Sequence, residues 1–396
     1  MKKLLMATAT AALSVGATAA SAEDVTLGII LGFTGPIESL TPHMAGGAEL
    51  AIGEVSESGM LLDGMSVTQE RADSTCIDAG AASAAAERLI TSVGVKGIMG
   101  ADCSGVTGAI LSNVAVPNGM VMISPSATSP ALSDAADEGL FFRTAPSDAR
   151  QGEVLANVLM DRGIGSVAVT YTNNDYGKGL ADSFTAAYEA AGGEVTTTAA
   201  HEDGKADYSA EVGALAAAGG DALVVAGYVD QGGPGVIRAA LDAGAFDRFV
   251  LPDGMIGTAL EDRFGAEIDG SVGTVPGTES EGADRMLEMA EAAGIDGTSP
   301  YVGESYDAAA LILLAMQAAG SVEPGDYKGE IMDVANAPGE QIFPGELAKG
   351  LEILAGGGDI DYVGATDVEL IGGGESAGSY REIVIEGGKM TTAGYR

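Results

Sequence analysis

The chain is poor in the residues that carry most enzyme chemistry. Its 396 residues hold two histidines and two cysteines. His43 and His201 lie far apart, neither in a cluster with metal-ligand spacing, and each is expected to be a lone exposed histidine. No GxxxxGK[ST] loop occurs and no GxGxxG follows a strand-like run, which removes the usual nucleotide cradles. One GxSxG is present, Gly374-Glu375-Ser376-Ala377-Gly378, but a hydrolase elbow needs a later histidine and none follows. That segment is expected to be a hairpin turn. Asp359 and Asp361 lack the rest of a calcium loop and are expected to be solvated. Basic residues are also scarce, 19 against 57 acids, giving a formal net charge of −38. Such a field repels phosphate backbones and excludes nucleic acid as a partner. The acids are spread along the chain, so the charge reads as solubility rather than as an acidic tail.

What is present begins with a targeting signal. Lys2 and Lys3 precede an Ala- and Leu-rich apolar stretch that ends at Ala20-Ser21-Ala22. This is expected to be a secretory signal peptide, residues 1–22, cut after Ala22. The stretch is too short and Ala-rich for a membrane span, and no other segment approaches spanning length. No cysteine follows the cleavage point, so no lipid anchor is expected. The mature chain is long enough for two domains with full cores. Cys76 and Cys103 are either one disulfide or two free buried thiols; the oxidising compartment favours the bridge, which would close a loop of about 28 residues.

Short β-branched runs alternate with Ala-rich helical patterns, which predicts parallel sheets with helices on both faces. Strands are expected at Val25–Leu31, 66–71, 97–100 and 120–124, with helices near 43–56 and 79–92. The pattern restarts with strands at Ser166–Thr172, 194–198, 222–227 and Phe249–Leu251, and helices at 176–191, 208–218 and 235–243. Between these units lies 142–151, "FRTAPSDARQ", read as a polar connection; 273–279, "GTVPGTE", is read as a second. Helices near 283–293 and 301–319 need a sheet to cover, and the first is the natural one. The tail is glycine-rich and ends in a strand, 381–386.

Ligands of open parallel sheets sit beyond the carboxyl ends of the strands. That rule selects the stretch from Phe33 to Leu40, Ser104, the loop Ser126-Ala127-Thr128, and Tyr228 or Asp253. Hydroxyls and backbone N–H groups at helix starts suit a carboxylate. Asp253, between a strand and Gly254, is suited to counter a cation. Tyr176 and Tyr228 offer flat apolar faces with hydrogen-bonding tips. The set complements a zwitterion with an apolar side chain. Singly, serines cap helices and tyrosines pack cores; joint placement at strand ends carries the reading.

Seven stretches in order then carry a resemblance: "LGFTGP" at 31–36, "ADSTC" at 72–76, "DCSGVT" at 102–107, "MISPSATSPAL" at 122–132, "FRTAPSDARQG" at 142–152, "NDYGKGLADSF" at 174–184 and "YDAAALILLAMQAAGS" at 306–321. The chain resembles the leucine/isoleucine/valine-binding proteins, the periplasmic substrate-binding subunits of branched-chain amino acid ABC transporters, over nearly all its mature length. The resemblance implies an α/β fold: a two-lobed periplasmic-binding-protein clamshell of type I with three interlobe crossings. Lobe 1 would be 23–144 and 277–373, and lobe 2 would be 145–276 and 374–396. It supports the Cys76–Cys103 bridge. It implies that Ser104 and the Thr128 N–H hold the ligand carboxylate. The Ser126 carbonyl and Thr128 hydroxyl would take the ammonium, with Ala127 between them. Tyr176 and Tyr228 would close over the ligand, and Asp253 would stand where an ammonium-binding acid, often glutamate, is usual. Leu40 replaces a common aromatic near the side-chain pocket, and Phe33 is expected to fill that space. Implied partners are a small amino acid and membrane permease subunits, with no cofactor and no metal, in a periplasmic monomer. Rival readings are a different ligand (another amino acid, a small amide or an aromatic carboxylate), a sensor feeding a receptor, and an exported enzyme.

Overall fold

The computed structural model describes residues 24–396; the expected signal peptide lies outside the described residues. The first unit supplies strands β1 (Val25–Leu31), β2 (Val67–Asp73), β3 (Ile98–Gly100), β4 (Met122–Ser124) and β5 (Phe141–Pro146). The second supplies β6 (Ser166–Thr172), β7 (Glu194–His201), β8 (Ala222–Ala226), β9 (Phe249–Leu251) and β10 (Val272–Pro276). A two-stranded sheet of β11 (Glu340–Ile342) and β12 (Ile360–Tyr362) follows, then β13 (Leu370–Ile371), β14 (Glu375–Ser376), β15 (Tyr380–Glu386) and β16 (Lys389–Tyr395).

Two seven-stranded sheets result, ordered β13-β14-β5-β4-β3-β1-β2 and β16-β15-β10-β9-β8-β6-β7. Within each, the first five strands met along the chain pair in parallel with the same topology. The central strands are buried on both faces, which is why β1 and β8 read as near-continuous apolar runs. The strand order reverses beside β1 in one lobe and beside β6 in the other, and these switch points face the same cleft. The two α/β units and the clamshell inferred from the sequence are both present.

Two stretches read as connections are strands. Residues 141–146 form β5, wholly buried, and 272–276 form β10. Their polar and proline content hid them. Arg143 in β5 is neutralised by Glu375 at 2.7 Å, and Pro146 and Pro276 end their strands, where a missing N–H costs little. The GxSxG segment is likewise not the turn. Glu375–Ser376 is a strand beside β5, and Gly372–Gly374 make the turn. First-lobe pairing therefore runs to Ser376, and the last crossing falls between Ser376 and Tyr380 rather than at 373–374. His201 is not exposed but 1 % accessible, its Nδ1 2.8 Å from the Thr170 hydroxyl.

The chain crosses first from β5 into the helix Asp148–Asp161, which packs on the helix Asp175–Ala190. Gly152 permits that approach, since a Cβ there would sit 2.7 Å from the Phe184 amide nitrogen. After β10 the chain returns, and the helix Val302–Ala319 packs on Thr41–Ser58 in the first lobe. Cys76 and Cys103 are bridged, with Cα atoms 5.2 Å apart, joining the loop after β2 to the helix start after β3. Replacing both by serine should lower stability by roughly 3–4 kcal/mol through the released loop entropy. Chemical denaturation of the oxidised protein and the double variant measures this; an unchanged midpoint would refute it.

Candidate functional site

The first-lobe wall is built from loops after β1, β3 and β4. Gly100 must be glycine: its φ is +124°, and a Cβ would lie 2.1 Å from the Ile30 carbonyl oxygen. Just beyond it, buried Asp102 accepts from the Gly32 amide (2.6 Å) and the Ser74 hydroxyl (2.9 Å), tying three strand ends together. The Ser126 hydroxyl donates to the Asp102 carbonyl (3.0 Å), and the Ser104 hydroxyl accepts from the Ser129 amide (3.0 Å). The Ser124 hydroxyl accepts from the Ala127 amide (2.9 Å), while Arg143 donates to the Ala127 and Ser129 carbonyls (3.1 and 3.0 Å). A buried guanidinium and short serines thus hold the loop from Pro125 to Ser129 in one shape.

The second-lobe wall carries Tyr176 and Tyr228, stacked with ring centroids 5.1 Å apart. Tyr176 donates its hydroxyl proton to Asp253 (2.7 Å) and accepts from the Gly254 amide (3.1 Å). Asp253 also accepts from Tyr301, which comes from the first lobe at the start of the helix Val302–Ala319. Tyr301 has φ 66°, a left-handed conformation uncommon for a bulky residue. The lobes are closed on one another. The Ser39 amide donates to Asp230 (2.8 Å), the Asp230 amide to the Pro36 carbonyl (3.0 Å), and the Ser129 hydroxyl to the Asp175 carbonyl (3.1 Å).

A second acid lies against Asp253. Asp148, in the first turn after β5, is fully buried, and neither of its carboxylate oxygens has a hydrogen-bond partner. Burial and then repulsion from Asp253 push its pKa well above the carboxylate range. Asp253 is raised too, first by burial, with its phenol partners opposing the shift. The buried Thr128 hydroxyl faces Asp148 and opposes the rise there, although by strict hydrogen-bond geometry neither it nor the Gln151 carbonyl oxygen has a partner. The result is a set of unsatisfied acceptors around an acidic pair. Buried acceptors of this kind each carry an unrecovered desolvation penalty, and a small cation with several N–H donors satisfies them.

The cavity at this junction is small, about 20 Å³, room for one water molecule. It is lined by Ile37, Leu40, Ser104, Ser126, Tyr176, Tyr228, Asp253 and Tyr301 among others. Of the expected residues, Leu40, Ser104, Ser126, Tyr176, Tyr228 and Asp253 meet there. Ala127 and Thr128 are buried but do not line it. Phe33 does not reach it; its ring faces outward under the Arg71 guanidinium, 5.4 Å away, and Ile37 takes the place expected of it. Asp148 and Tyr301 were missed, while Ile37 lies, without being singled out, within the stretch from Phe33 to Leu40 that the strand-end rule selected. Asp148 obeys the strand-end rule, but β5 was not recognised as a strand. Tyr301 follows a proline at a helix start and carried no signal. A larger concavity of about 700 Å³ lies among Glu330, Asp333, Asn336 and Asp359 at the outer edge of the first lobe. It is away from the strand ends, so size does not select the site.

A family model described as periplasmic binding protein matches residues 24–333. The chain belongs to the periplasmic binding protein family. Among relatives in this family, it is 31% identical over 330 residues to Leu/Ile/Val-binding protein homolog 3 of Brucella melitensis, covering 81% of this chain and 86% of that one. Its fold is similar to a leucine-binding protein of Thermotoga maritima (TM-score 0.78, 22% identity, 94% and 98% coverage). It is also similar to an ABC-transporter solute-binding protein from R. palustris in complex with benzoate (TM-score 0.76, 18% identity, 94% and 96% coverage). Among the described residues of this family member, no helix is long and apolar enough to cross a membrane, and no three-residue metal cluster occurs.

The acidic pair yields a prediction of opposite signs. Between the ordinary carboxylate range and the raised folded value, the folded protein holds more protons at Asp148 than the unfolded chain does. Stability from this group is therefore full at low pH and falls as pH rises through that interval. Asp148→Asn should raise the melting temperature of the ligand-free protein at neutral pH and flatten this slope. It should also weaken an ammonium-bearing ligand by about tenfold or more, the scale of one charge-assisted hydrogen bond. Thermal melts across pH, with ligand titration of the same variant, check both; a less stable variant with unchanged affinity would refute the assignment.

Proposed function

We propose that this chain captures a free amino acid, with leucine, isoleucine or valine foremost, and delivers it to an ABC-transporter permease. The observation that carries the reading is the buried acidic pair, Asp148 and Asp253, with the unpartnered Thr128 hydroxyl beside it. An ammonium is the ligand group that complements them. Ser104 and the loop from Ser126 to Thr128 supply the donors for a carboxylate, and Ile37, Leu40 and the two tyrosine faces supply an apolar side-chain wall. The Leu/Ile/Val-binding relatives support the same ligand class. A plain aromatic acid such as benzoate offers nothing to two buried carboxylates, so the R. palustris complex is the weaker guide to this cleft.

Capture is non-covalent. The open form presents Ser104 and Thr128; ligand docks there, and closure brings Tyr176, Tyr228 and Asp253 over it. Ligand shifts the open–closed population because only the closed form offers both walls. The closed outline is what the permease reads. Chemistry on the ligand is no part of this reading, and export through the N-terminal signal and a monomeric state are its companions.

A thermal-shift screen of the mature protein tests it. Leucine, isoleucine or valine should raise the melting temperature, since ligand at a hundred times its Kd adds about 2.7 kcal/mol. Asp253→Ala should weaken amino acids far more than plain carboxylates. Equal losses for both classes would remove the ammonium role.

A further inference from the structure

Beyond Leu40 the closed cleft continues. A second cavity of about 270 Å³ lies between the lobes, with Leu40 in its wall as well as in the wall of the ligand cavity. Leu40 is the residue common to both walls, and it packs on Gly257, where a Cβ would come within 3.2 Å of the leucine Cδ2. A ligand held by its ammonium at Asp148 and Asp253 and by its carboxylate at Ser104 directs its side chain toward Ile37 and Leu40, and hence toward this chamber.

The charged groups facing the chamber are His43, Glu261, Asp296 and Arg381. Three of them are already engaged. Glu261 accepts from Lys389 (2.9 Å) and the Met390 amide (2.7 Å). Asp296 accepts from the Thr298 amide (3.0 Å) and hydroxyl (2.6 Å). His43 accepts from the Asp296 amide at 3.3 Å. Arg381 is different. Among the described residues no carboxylate lies within 4.0 Å of its guanidinium, which makes one long bond, 3.4 Å, to the Thr298 carbonyl. Beside it the Ser299 hydroxyl is buried without a partner. Glu304 shares a smaller cavity with Arg381 behind Tyr301, but burial lifts its pKa to about 8, so near neutrality it is held mostly uncharged. In a chain of net charge −38, this is a guanidinium left with donors to spare and turned into the interlobe space.

We propose that this chamber is a second subsite of the cleft, where Arg381 and Ser299 take the distal oxygen of an amino acid long enough to pass Leu40. The ligands it adds to the apolar set are those tipped with a carboxylate or a carboxamide. The inference rests on the amino-acid reading of the cleft and deepens it. A leucine-sized ligand stops at Leu40; a longer one displaces that side chain and exchanges water at Arg381 for a charge-assisted bond.

Calorimetric titration of the full mature protein with leucine, norleucine, glutamine, glutamate and 2-aminoadipate tests this, in wild type, Arg381→Gln and Arg381→Lys. Wild type should bind at least one oxygen-tipped ligand within about tenfold of leucine. Arg381→Gln should weaken that ligand tenfold or more while changing leucine and norleucine less than twofold, and Arg381→Lys should recover most of any carboxylate's loss. A larger loss for glutamate and 2-aminoadipate than for glutamine marks a carboxylate subsite; equal losses mark an oxygen acceptor of either kind. Binding of leucine with none of the oxygen-tipped ligands would overturn the subsite and leave the amino-acid reading standing. So would an equal loss for every ligand in Arg381→Gln. If no amino acid binds wild type at all, both readings fall. Because the first comparison uses wild type alone, the proposal stays testable even where a variant does not fold.

Discussion

Two carboxylates buried against each other at the seam between lobes are the constraint on which this architecture turns. Water is gone from around Asp148 and Asp253, and among the described residues neither forms a close ion pair, the nearby Arg143 guanidinium being paired with Glu375. Two phenols satisfy Asp253 in part, one from each lobe, while Asp148 has no partner. Ionising both without a counter-charge is unfavourable, so the closed shape is held short of its optimum. A molecule that brings an ammonium repairs the defect and gains from doing so. Under the proposed reading, the same electrostatic cost would favour a ligand that carries a positive charge over one that does not.

The rest of the fold keeps that pair in register. Arg143 fixes the backbone of the first-lobe loop from inside β5 and pairs with Glu375, so that only part of its field reaches Asp148. Asp102 ties the ends of β1, β2 and β3, so the loops that face the ligand move as one body. The disulfide adds a covalent tie at the same corner. On the opposite wall, the stacked pair Tyr176–Tyr228 is a flat, rigid face that aims a single hydroxyl at Asp253. Precision comes from short polar groups at strand ends, on a scaffold whose helices and strands are otherwise apolar and alanine-rich.

Much of this was legible in the residue order. Runs such as "VTLGIIL" and "ALVVA" announce buried parallel strands, and of the nine residues expected at the site, all placed after strand ends, six line the small interlobe cavity. The failures share a cause. β5 contains an arginine and ends in proline, and its charge is explained only by a residue 232 positions away. Once β5 was read as a connection, Asp148 lost the strand end that would have marked it. Phe33 was expected to fill the space left where Leu40 replaces the aromatic common in the resembled family, but its ring lies under Arg71 instead. His201 was expected outside because it stands alone, with no metal-spaced partners, but its ring is buried beside Tyr208. Long-range pairing and the direction of a loop are properties of the assembled molecule, and neither leaves a local pattern.

The tail gives the design an order in time. β14 supplies both a strand beside β5 and the acid that neutralises Arg143, and β15 and β16 complete the other sheet. Each lobe therefore waits for the last few dozen residues to be made before its edge is finished and its buried charge balanced. During synthesis the N-terminal lobe holds an arginine in a half-built core with its counter-ion still missing. Loss of the tail would thus bare the edges of both sheets at once and strand Arg143 inside the first without its counter-ion.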